Sequence, residues 1–242
     1  MTILYRIYQI FIAAPLLLLI TAITAISITI GCTLGSAHFW GYWPGRIWGR
    51  WFIRILLLPV HVEGYENIDS KTSYVFVANH QGAFDIFLIY GYLGRNFKWM
   101  MKSGLRSIPL VGKACESAGH IFVDKRGPKA IQQTHDRARA VLQGGTSLTV
   151  FPEGERTLTG KMGPFFRGAY QLADELQMPV VPITLNGPYQ VLCRRRGPIN
   201  FVFWHPLSMK IHKPIPPIGK GPENIHHAME LSREAIASGL EE

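Results

Sequence analysis

Cysteine is scarce in this chain of 242 residues, which contains only Cys32, Cys115 and Cys193. Their number is odd, and their spacings do not match the short intervals of a zinc site. The sequence therefore argues against a disulfide framework and against a structural metal site. Scarce, unpaired cysteines are typical of a reduced compartment.

Charged residues are missing from one long stretch: residues 7–45 include no Asp, Glu, Lys or Arg. The most apolar part, residues 11–30, would reach about 30 Å as a helix, which is roughly the hydrocarbon thickness of a bilayer. Pro15 either kinks this helix or marks an early turn of it. We therefore expect residues 1–58 to form an apolar segment embedded in a membrane.

Arginines follow the apolar stretch at a helical spacing, since Arg46, Arg50 and Arg54 lie four residues apart. Four tryptophans are interleaved with them or just precede them: Trp40, Trp43, Trp48 and Trp51. A basic stripe with tryptophan is typical of a helix that lies at the interface of an anionic leaflet. Because Arg6 also precedes the apolar stretch, a two-helix hairpin that enters and leaves one leaflet is favoured over a single span. A cleaved signal peptide and a lipoprotein signal at Cys32 are weaker alternatives.

The net charge of +9 is compatible with nucleic acid, an anionic membrane or an acidic carrier protein as a partner. The arginine stripe adjoins the apolar segment, and the sequence contains no recognised nucleic-acid motif. The membrane is therefore the favoured partner, and nucleic acid is not expected. Arg194, Arg195 and Arg196 form a second basic run, either a solvated loop or a contact for anionic lipid or an acidic carrier.

From about residue 59 onward, strand-like and helix-like stretches alternate. Candidate strands lie at 60–67, 73–79, 97–102, 119–124, 146–151 and 179–186, and residues 199–215 suggest further β structure. Candidate helices lie at 83–93, 111–118, 128–143, 165–177 and 223–239. Such alternation predicts an α/β fold: a single layered domain over residues 59–242 with a mostly parallel, mixed sheet.

His80 and Asp85 follow the apolar run 74–78. A strand that ends near Asn79 and a turn through Gly82 would bring the two side chains together at the start of a helix. Asp85 would then bind one imidazole nitrogen and leave the other free as a general base. The alternative is that His80 ends a strand and Asp85 only satisfies a helix N-terminus.

Residues 151–157 follow another apolar run and contain Glu153, Gly154 and Arg156. A Pro/Gly-shaped loop at the carboxyl end of a strand is where α/β sheets bind ligands, and an arginine there can bind a phosphate with two hydrogen bonds. Glu153 would hold that arginine or contact substrate hydroxyls. The alternative is an ordinary polar turn in which Glu153 and Arg156 pair.

In this order, these segments resemble the motifs of the 1-acyl-sn-glycerol-3-phosphate (lysophosphatidic acid) acyltransferase family, within the glycerolipid acyltransferases. The first motif, Asn-His-x4-Asp, is matched by Asn79, His80 and Asp85. The third, Phe-Pro-Glu-Gly-Thr-Arg-Ser, is matched by residues 151–157, with Glu155 in place of Thr and Thr157 in place of Ser.

Two weaker motifs extend the resemblance over about residues 60–210. Residues 119–126 resemble the second motif, an apolar strand before an acidic-basic pair, but Lys125 stands where the family has Arg, and Arg126 follows. Residues 180–183, with Pro182, resemble the fourth. Because lysine lacks the planar fork of arginine, the role of the second motif is in question.

The resemblance implies acyl transfer from acyl-CoA or acyl-carrier protein to the sn-2 hydroxyl of 1-acyl-sn-glycerol 3-phosphate, giving phosphatidic acid. It implies that His80 is the general base, that Asp85 orients it, and that no acyl-enzyme, cofactor or metal is used. By the same resemblance the acceptor is bound by Glu153, Gly154, Arg156, Thr157 and Lys102, with Lys125 or Arg126 in a similar role.

Two alternatives remain open at the level of the sequence. Glu155 adds negative charge beside Arg156, which would either weaken the binding of a dianionic phosphate or point to another lysolipid acceptor. The alternative acceptors are a lysophospholipid, a lyso-aminolipid or glycerol 3-phosphate. A non-catalytic protein that binds membranes through its basic, Trp-rich face is the second. Cytosolic acyl donors and the flanking arginines together predict a bacterial inner-membrane location with the catalytic domain on the cytoplasmic side.

Overall fold

The computed structural model describes residues 3–123, 127–192 and 201–241. In this part of the chain, seven strands form one sheet in the order β1-β7-β6-β2-β5-β3-β4. All neighbouring strands are parallel except β6 and β7. The α/β fold with a mostly parallel, mixed sheet is thus confirmed. The strands are β1 (Val60–Glu63), β2 (Val75–Ala78), β3 (Phe97–Lys102), β4 (Ile121–Val123), β5 (Ser147–Val150), β6 (Val180–Asn186) and β7 (Leu207–Ile211).

Helices lie on both sides of the sheet and also precede it. They are α1 (Ile3–Tyr8), α2 (Ala14–Leu34), α3 (Ala37–Trp40), α4 (Trp43–Ile55), α5 (Phe84–Tyr92), α6 (Val111–Ser117), α7 (Pro128–Gln143), α8 (Gly168–Leu176), α9 (Pro188–Val191) and α10 (Pro222–Ser238). The predicted helix at 165–177 is shorter at its amino end. Of the β structure expected at 199–215, the described residues contain β7 and a single bridge at Ile215.

The central strand β2 explains why two apolar layers form. Successive side chains of a strand point to opposite faces, and all four residues of β2 are buried. Phe76 and Ala78 pack with the side chains of α4 and α5, whereas Val75 and Val77 pack with those of α7, α8 and α10. A strand buried on both faces is typical of a parallel sheet with helices on each side.

The N-terminal helix is continuous from Ile3 to Leu34, with a π-helical turn at Gln9–Ala13 between α1 and α2. Pro15 lies in the first turn of α2, so it marks an early turn rather than a break. Among the helices of the described residues, this is the one whose length and composition would allow it to cross a bilayer.

The N-terminal helix lies along the rest of the protein instead of projecting from it. Near its start, the Tyr8 hydroxyl donates to the Ile55 carbonyl, and Gln9 exchanges two hydrogen bonds with the backbone of Val202. Near its end, Ala25 and Ile28 pack with α6. The predicted division between residues 58 and 59 stays a prediction.

Helix α4 carries the predicted arginine stripe, but part of that stripe faces the protein. Gly45 and Gly49 let α4 approach α5 closely, since a Cβ at Gly49 would lie 2.8 Å from the Phe87 carbonyl oxygen. Arg50 donates from Nε to the Gly91 carbonyl over 2.8 Å. One nitrogen of the Arg50 guanidinium is therefore used inside the protein, where it joins α4 to the end of α5. That the stripe lies at an anionic leaflet stays a prediction.

His120 is buried directly before β4 and has two hydrogen-bonding partners. Its Nδ1 accepts from the Trp99 backbone N–H at 3.3 Å, and its Nε2 lies 3.2 Å from the Tyr90 hydroxyl. Burial, with Lys98 nearby, lowers the pKa of His120 from 6.5 to about 3. The imidazole is therefore neutral in the folded protein.

Acid is expected to destabilise the protein through His120. Between pH 6.5 and the lowered pKa, the unfolded chain binds a proton that the folded chain does not, so stability falls as pH falls. Between pH 7 and pH 5, the neutral His120 should lower the free energy of unfolding by about 2 kcal/mol. Denaturant unfolding at both pH values checks it, and His120→Asn should reduce the difference between the two free energies of unfolding. An unchanged difference in His120→Asn would contradict this assignment.

Candidate active site

Three strand ends meet at the carboxyl edge of the sheet, because β2 lies between β5 and β6. The chain leaves β2 through Asn79 and His80, and it leaves β5 through Phe151. The Asn79 side chain donates to the Leu185 carbonyl (2.9 Å) and accepts from the Leu185 backbone N–H (2.8 Å). These two buried bonds fix the end of β2 against β6 and so fix the backbone that carries His80.

The structure brings His80 and Asp85 together, as the sequence predicted. His80 Nδ1 lies 2.6 Å from Asp85 Oδ2, and the same oxygen accepts from the Gly82 backbone N–H at 2.9 Å. Asp85 is in the first turn of α5. Gly82 does not have a positive φ; it is needed because a Cβ there would lie 2.7 Å from the Pro188 carbonyl oxygen. The turn thus requires space rather than a left-handed backbone.

Burial sets the electrostatics of this pair. Asp85 is fully buried and the His80 side chain nearly so. Burial raises the pKa of the Asp85 carboxyl, and the hydrogen bonds from His80 and from the backbone oppose that shift. The His80 ring also stacks on Phe151, with ring centroids 3.9 Å apart. The imidazole is therefore held in one orientation, with Nδ1 bound to Asp85 and one ring face against Phe151.

Glu153 organises the backbone around His80. Its Oε1 accepts from the His80 backbone N–H at 2.7 Å, and its Oε2 accepts from the Gly163 backbone N–H at 2.6 Å. Burial raises the pKa of Glu153, and these two bonds oppose the shift. One carboxylate thus ties the loop after β2 to the loop after β5, a role that the sequence did not suggest.

The rest of the 151–157 loop lies beside His80. Gly154 has a φ of +74°, which glycine adopts without strain. The Thr157 backbone N–H donates to the His80 carbonyl at 2.9 Å, and its hydroxyl donates to the Lys161 carbonyl at 2.8 Å. Arg156, between these two residues, is half-buried. The loop is therefore hydrogen-bonded along one side of the histidine.

A small pocket adjoins His80 and contains residues that no motif indicated. It is lined by Asn79, His80, Gln81, Glu153, Thr157, Gly160, Lys161, Met162 and Leu240. Lys161 lies only four residues after the third motif. Its positive charge, close in sequence to Arg156, is the feature from which the sequence could have identified it. Leu240 had no such signal, because it comes after the last helix.

Leu240 is held at the pocket by Asn186, at the end of β6. The Asn186 side chain donates to the Gly239 carbonyl at 2.9 Å and accepts from the Glu241 backbone N–H at 3.1 Å. Ser208 adds a hydrogen bond to the Glu241 carboxylate. These bonds place an aliphatic side chain on the wall of the pocket that contains His80.

The remaining predicted basic residues differ in their placement. Lys102 ends β3 and is exposed, and β5 separates β3 from β2. Lys125 and Arg126 lie outside the described residues, as do Arg194, Arg195 and Arg196. Within the described ranges, no group of three His, Cys, Asp or Glu side chains could hold a metal ion.

The acyltransferase family model matches residues 59–186, more than half of the chain, and this stretch contains β1, His80, Asp85 and Glu153. Among solved structures, the crystal structure of the 1-acyl-sn-glycerophosphate acyltransferase PlsC from Thermotoga maritima has a TM-score of 0.69. That protein is 29% identical to this one, and the match covers 80% of this chain and 76% of the other.

Curated relatives of similar sequence are named as acyltransferases, in agreement with the family model. A 1-acyl-sn-glycerol-3-phosphate acyltransferase from Cocos nucifera is 32% identical over 199 residues, covering 82% of this chain and 63% of its own length. The alpha enzyme of the same name from Homo sapiens is 30% identical, covering 76% of this chain and 65% of its own length. A chloroplast relative from Arabidopsis thaliana is 34% identical, and only 43% of its length is matched. This chain thus spans about two fifths to two thirds of these relatives. It belongs to the acyltransferase family, together with the 1-acyl-sn-glycerol-3-phosphate acyltransferases.

Proposed function

We propose that this protein transfers a fatty acyl group from acyl-CoA or acyl-carrier protein to the sn-2 hydroxyl of 1-acyl-sn-glycerol 3-phosphate. The single observation that carries the proposal is the 2.6 Å contact between His80 Nδ1 and buried Asp85 Oδ2 beside a pocket. A carboxylate at this distance favours the tautomer in which Nδ1 carries the proton, and this supports a role for Nε2 as the base.

The proposed reaction is a direct transfer. His80 Nε2 takes the proton from the acceptor hydroxyl, and that oxygen forms a bond to the thioester carbonyl carbon. The carbon–sulfur bond then breaks, and the imidazolium returns its proton to the leaving thiolate. Asp85 stabilises the imidazolium between these two steps, because a buried carboxylate 2.6 Å away favours the charged ring.

We assign the acceptor phosphate to the loop after β5. Arg156 offers a planar, bidentate donor, and Gly154 and Thr157 shape the loop on which it lies. Lys161 adds a cation at the same pocket. Glu153, whose two oxygens bind backbone, contributes by holding this loop beside His80. Lys102, with Lys125 or Arg126, would supply further positive charge toward the headgroup.

We propose a location on the membrane, at the bacterial inner membrane with the catalytic edge on the cytoplasmic side. The N-terminal helix spans about 48 Å and contacts the rest of the protein at both of its ends. A perpendicular crossing would therefore pull the α/β layers into the bilayer, which disfavours a single span. The helix pair α2 and α4, inserted into one leaflet, avoids this cost and keeps His80 near the headgroups.

One specific observation favours a second candidate acceptor. Glu155 is exposed on the loop that carries Arg156, and its charge opposes a dianionic phosphate. A lysophospholipid with a zwitterionic or neutral headgroup would be less affected. A non-catalytic, lipid-binding role is disfavoured because the His80 and Asp85 geometry is that of a base with its orienting carboxylate.

The test is release of free thiol from palmitoyl-CoA by the detergent-purified protein, with and without 1-acylglycerol 3-phosphate. We expect acceptor-dependent release. We also expect Glu155→Thr to lower the KM for this acceptor by about 2- to 5-fold, because one like charge is removed from an exposed site. With lysophosphatidylcholine as the acceptor, Glu155→Thr should leave the KM unchanged.

Other results would redirect the assignment. Release that needs no acceptor would indicate a thioesterase. Faster turnover with lysophosphatidylcholine than with 1-acylglycerol 3-phosphate would replace the proposed acceptor. If no acceptor supports release from either palmitoyl-CoA or palmitoyl-acyl-carrier protein, the lipid-binding role would be favoured instead.

A further inference from the structure

The connection between β3 and α6 has an apolar tip that no element of the described chain covers. It leaves the sheet at Lys102 and returns to it through α6. At the tip, Ile108 and Leu110 are 42% and 53% exposed, and Pro109 between them is also exposed. The catalytic proposal assigns no task to these three residues.

The tip is a defined structure rather than a loose loop. The Gly112 backbone N–H donates to the Ile108 carbonyl at 2.8 Å, and the Val111 N–H donates to the Pro109 carbonyl at 2.7 Å. Leu110 has a φ of +63°, which is costly for a residue with a Cβ. The chain therefore accepts local strain in order to hold a leucine out in solvent, and burial inside the protein does not compensate for it.

Positive charge surrounds this apolar tip. Lys102, Arg106 and Lys113 are exposed near it. Glu116 is the neighbouring acid, at 3.7 Å from Arg106 and 3.6 Å from Lys113. Three cations and one carboxylate leave a net positive surface, which is complementary to an anionic lipid headgroup layer.

The tip is continuous with the apolar N-terminal helix. Helix α6, which follows the tip directly, packs through Ala114 and Ala118 against Ala25 and Ile28 of α2. At the same level of α2, the side chains that do not face α6 are apolar and exposed: Ile23, Ile26 and Ile30. The tip and this part of α2 therefore border one another through α6.

We propose that Ile108, Pro109 and Leu110 form a second membrane contact, which inserts at the interface of an anionic leaflet while Lys102, Arg106 and Lys113 bind headgroups. Apolar side chains flanked by cations have the composition that interfacial anchoring requires. A second contact, away from the helix axis, fixes the rotation of the domain about α2. This fixes how the carboxyl edge with His80 faces the lipid surface.

The experiment places one fluorophore on the 242-residue protein. In a background with Cys32, Cys115 and Cys193 replaced by alanine and with acyltransferase turnover retained, single cysteines are introduced by Leu110→Cys, Leu19→Cys or Ile218→Cys. Leu19 on α2 and Ile218 before α10 match Leu110 in exposure, at 56% and 55%. Each is labelled with an environment-sensitive NBD group and reconstituted into vesicles of equal parts phosphatidylglycerol and phosphatidylcholine.

Quenching by a lipid that carries a nitroxide near the glycerol backbone gives the result. We expect strong quenching at Leu19→Cys and Leu110→Cys and little at Ile218→Cys. Quenching at 19 but not at 110 would overturn the second contact while leaving the proposed function intact. Absence of quenching at both positions would overturn membrane embedding and this proposal together.

A second measurement does not depend on labelling. The double variant Ile108→Asp/Leu110→Asp should raise the KM for lysolipid presented in anionic vesicles by about 5- to 10-fold, because two acids oppose insertion. In detergent micelles its turnover should equal that of the parent protein, and Ile218→Asp should match the parent in both assays. Equal KM values for the double variant and the parent in vesicles would contradict the proposal.

Discussion

His80→Ala is expected to lower acyltransferase turnover by about 10²- to 10⁴-fold, the range that a general base contributes. The variant removes the group that takes the acceptor proton, so the hydroxyl would have to attack the thioester without a base. The fold should be retained, because the His80 backbone bonds to Glu153 and Thr157 do not need the side chain. The thermal midpoint should fall, because buried Asp85 loses a hydrogen-bond partner and Phe151 loses a stacked ring. Thiol release checks the expected loss of turnover, and the unfolding midpoint of the same sample checks the expected effect on stability.

A second histidine provides a matched control for this variant. His226 also lies beside a carboxylate, with Nε2 3.0 Å from Glu230 Oε1, but the pair is exposed on α10. His226→Ala removes a His–carboxylate contact of similar length and should keep parent turnover. If His80→Ala retained more than about a tenth of the parent rate, a general base at this position would be excluded.

The sequence predicted most of the sheet and the proximity of His80 to Asp85, because both depend on local pattern. The apolar run before Asn79 predicted β2, and a strand end followed by a helix start has few geometries that bring residues five apart together. That turn accounts for the contact between His80 and Asp85, whereas their proposed roles came from the resemblance to the acyltransferase motifs. The same reasoning placed Gly154 and Thr157 beside a strand end, although it did not show that Thr157 bonds to His80.

The remaining features depend on contacts between distant parts of the chain, which single-sequence patterns do not show. The carboxylate of Glu153 binds a backbone N–H 73 residues away, and Gln9 pairs with Val202 across 193 residues. The stripe containing Arg50 has the spacing of a lipid-facing surface, yet the neighbouring Gly49 lets α4 pack so closely on α5 that Arg50 reaches the Gly91 carbonyl. Tertiary packing, rather than helical periodicity, determined which arginine faces the protein.

Asp85→Asn is expected to reduce kcat by about 10²- to 10³-fold with the KM for lysolipid within about twofold, because Asp85 is fully buried and acts through His80. Asp85 Oδ2 accepts both from His80 Nδ1 and from the Gly82 N–H. If the asparagine NH2 takes that position, it donates to Nδ1, and the proton moves to Nε2, which then cannot act as a base. If the asparagine oxygen takes it, the correct tautomer survives, but the negative charge that stabilises the imidazolium is lost.

For this variant, kcat and KM are measured in detergent micelles. The control is Asp136→Asn, which changes an exposed aspartate that contacts Arg139. The control should match the parent. An increase in KM with unchanged kcat would show that Asp85 serves binding instead of orienting the base. Because the two side chains act as one unit, His80→Ala/Asp85→Asn should be no slower than His80→Ala alone. Additive losses in the double variant would mean that Asp85 contributes to turnover independently of His80, and the proposed mechanism would then need a second role for that carboxylate.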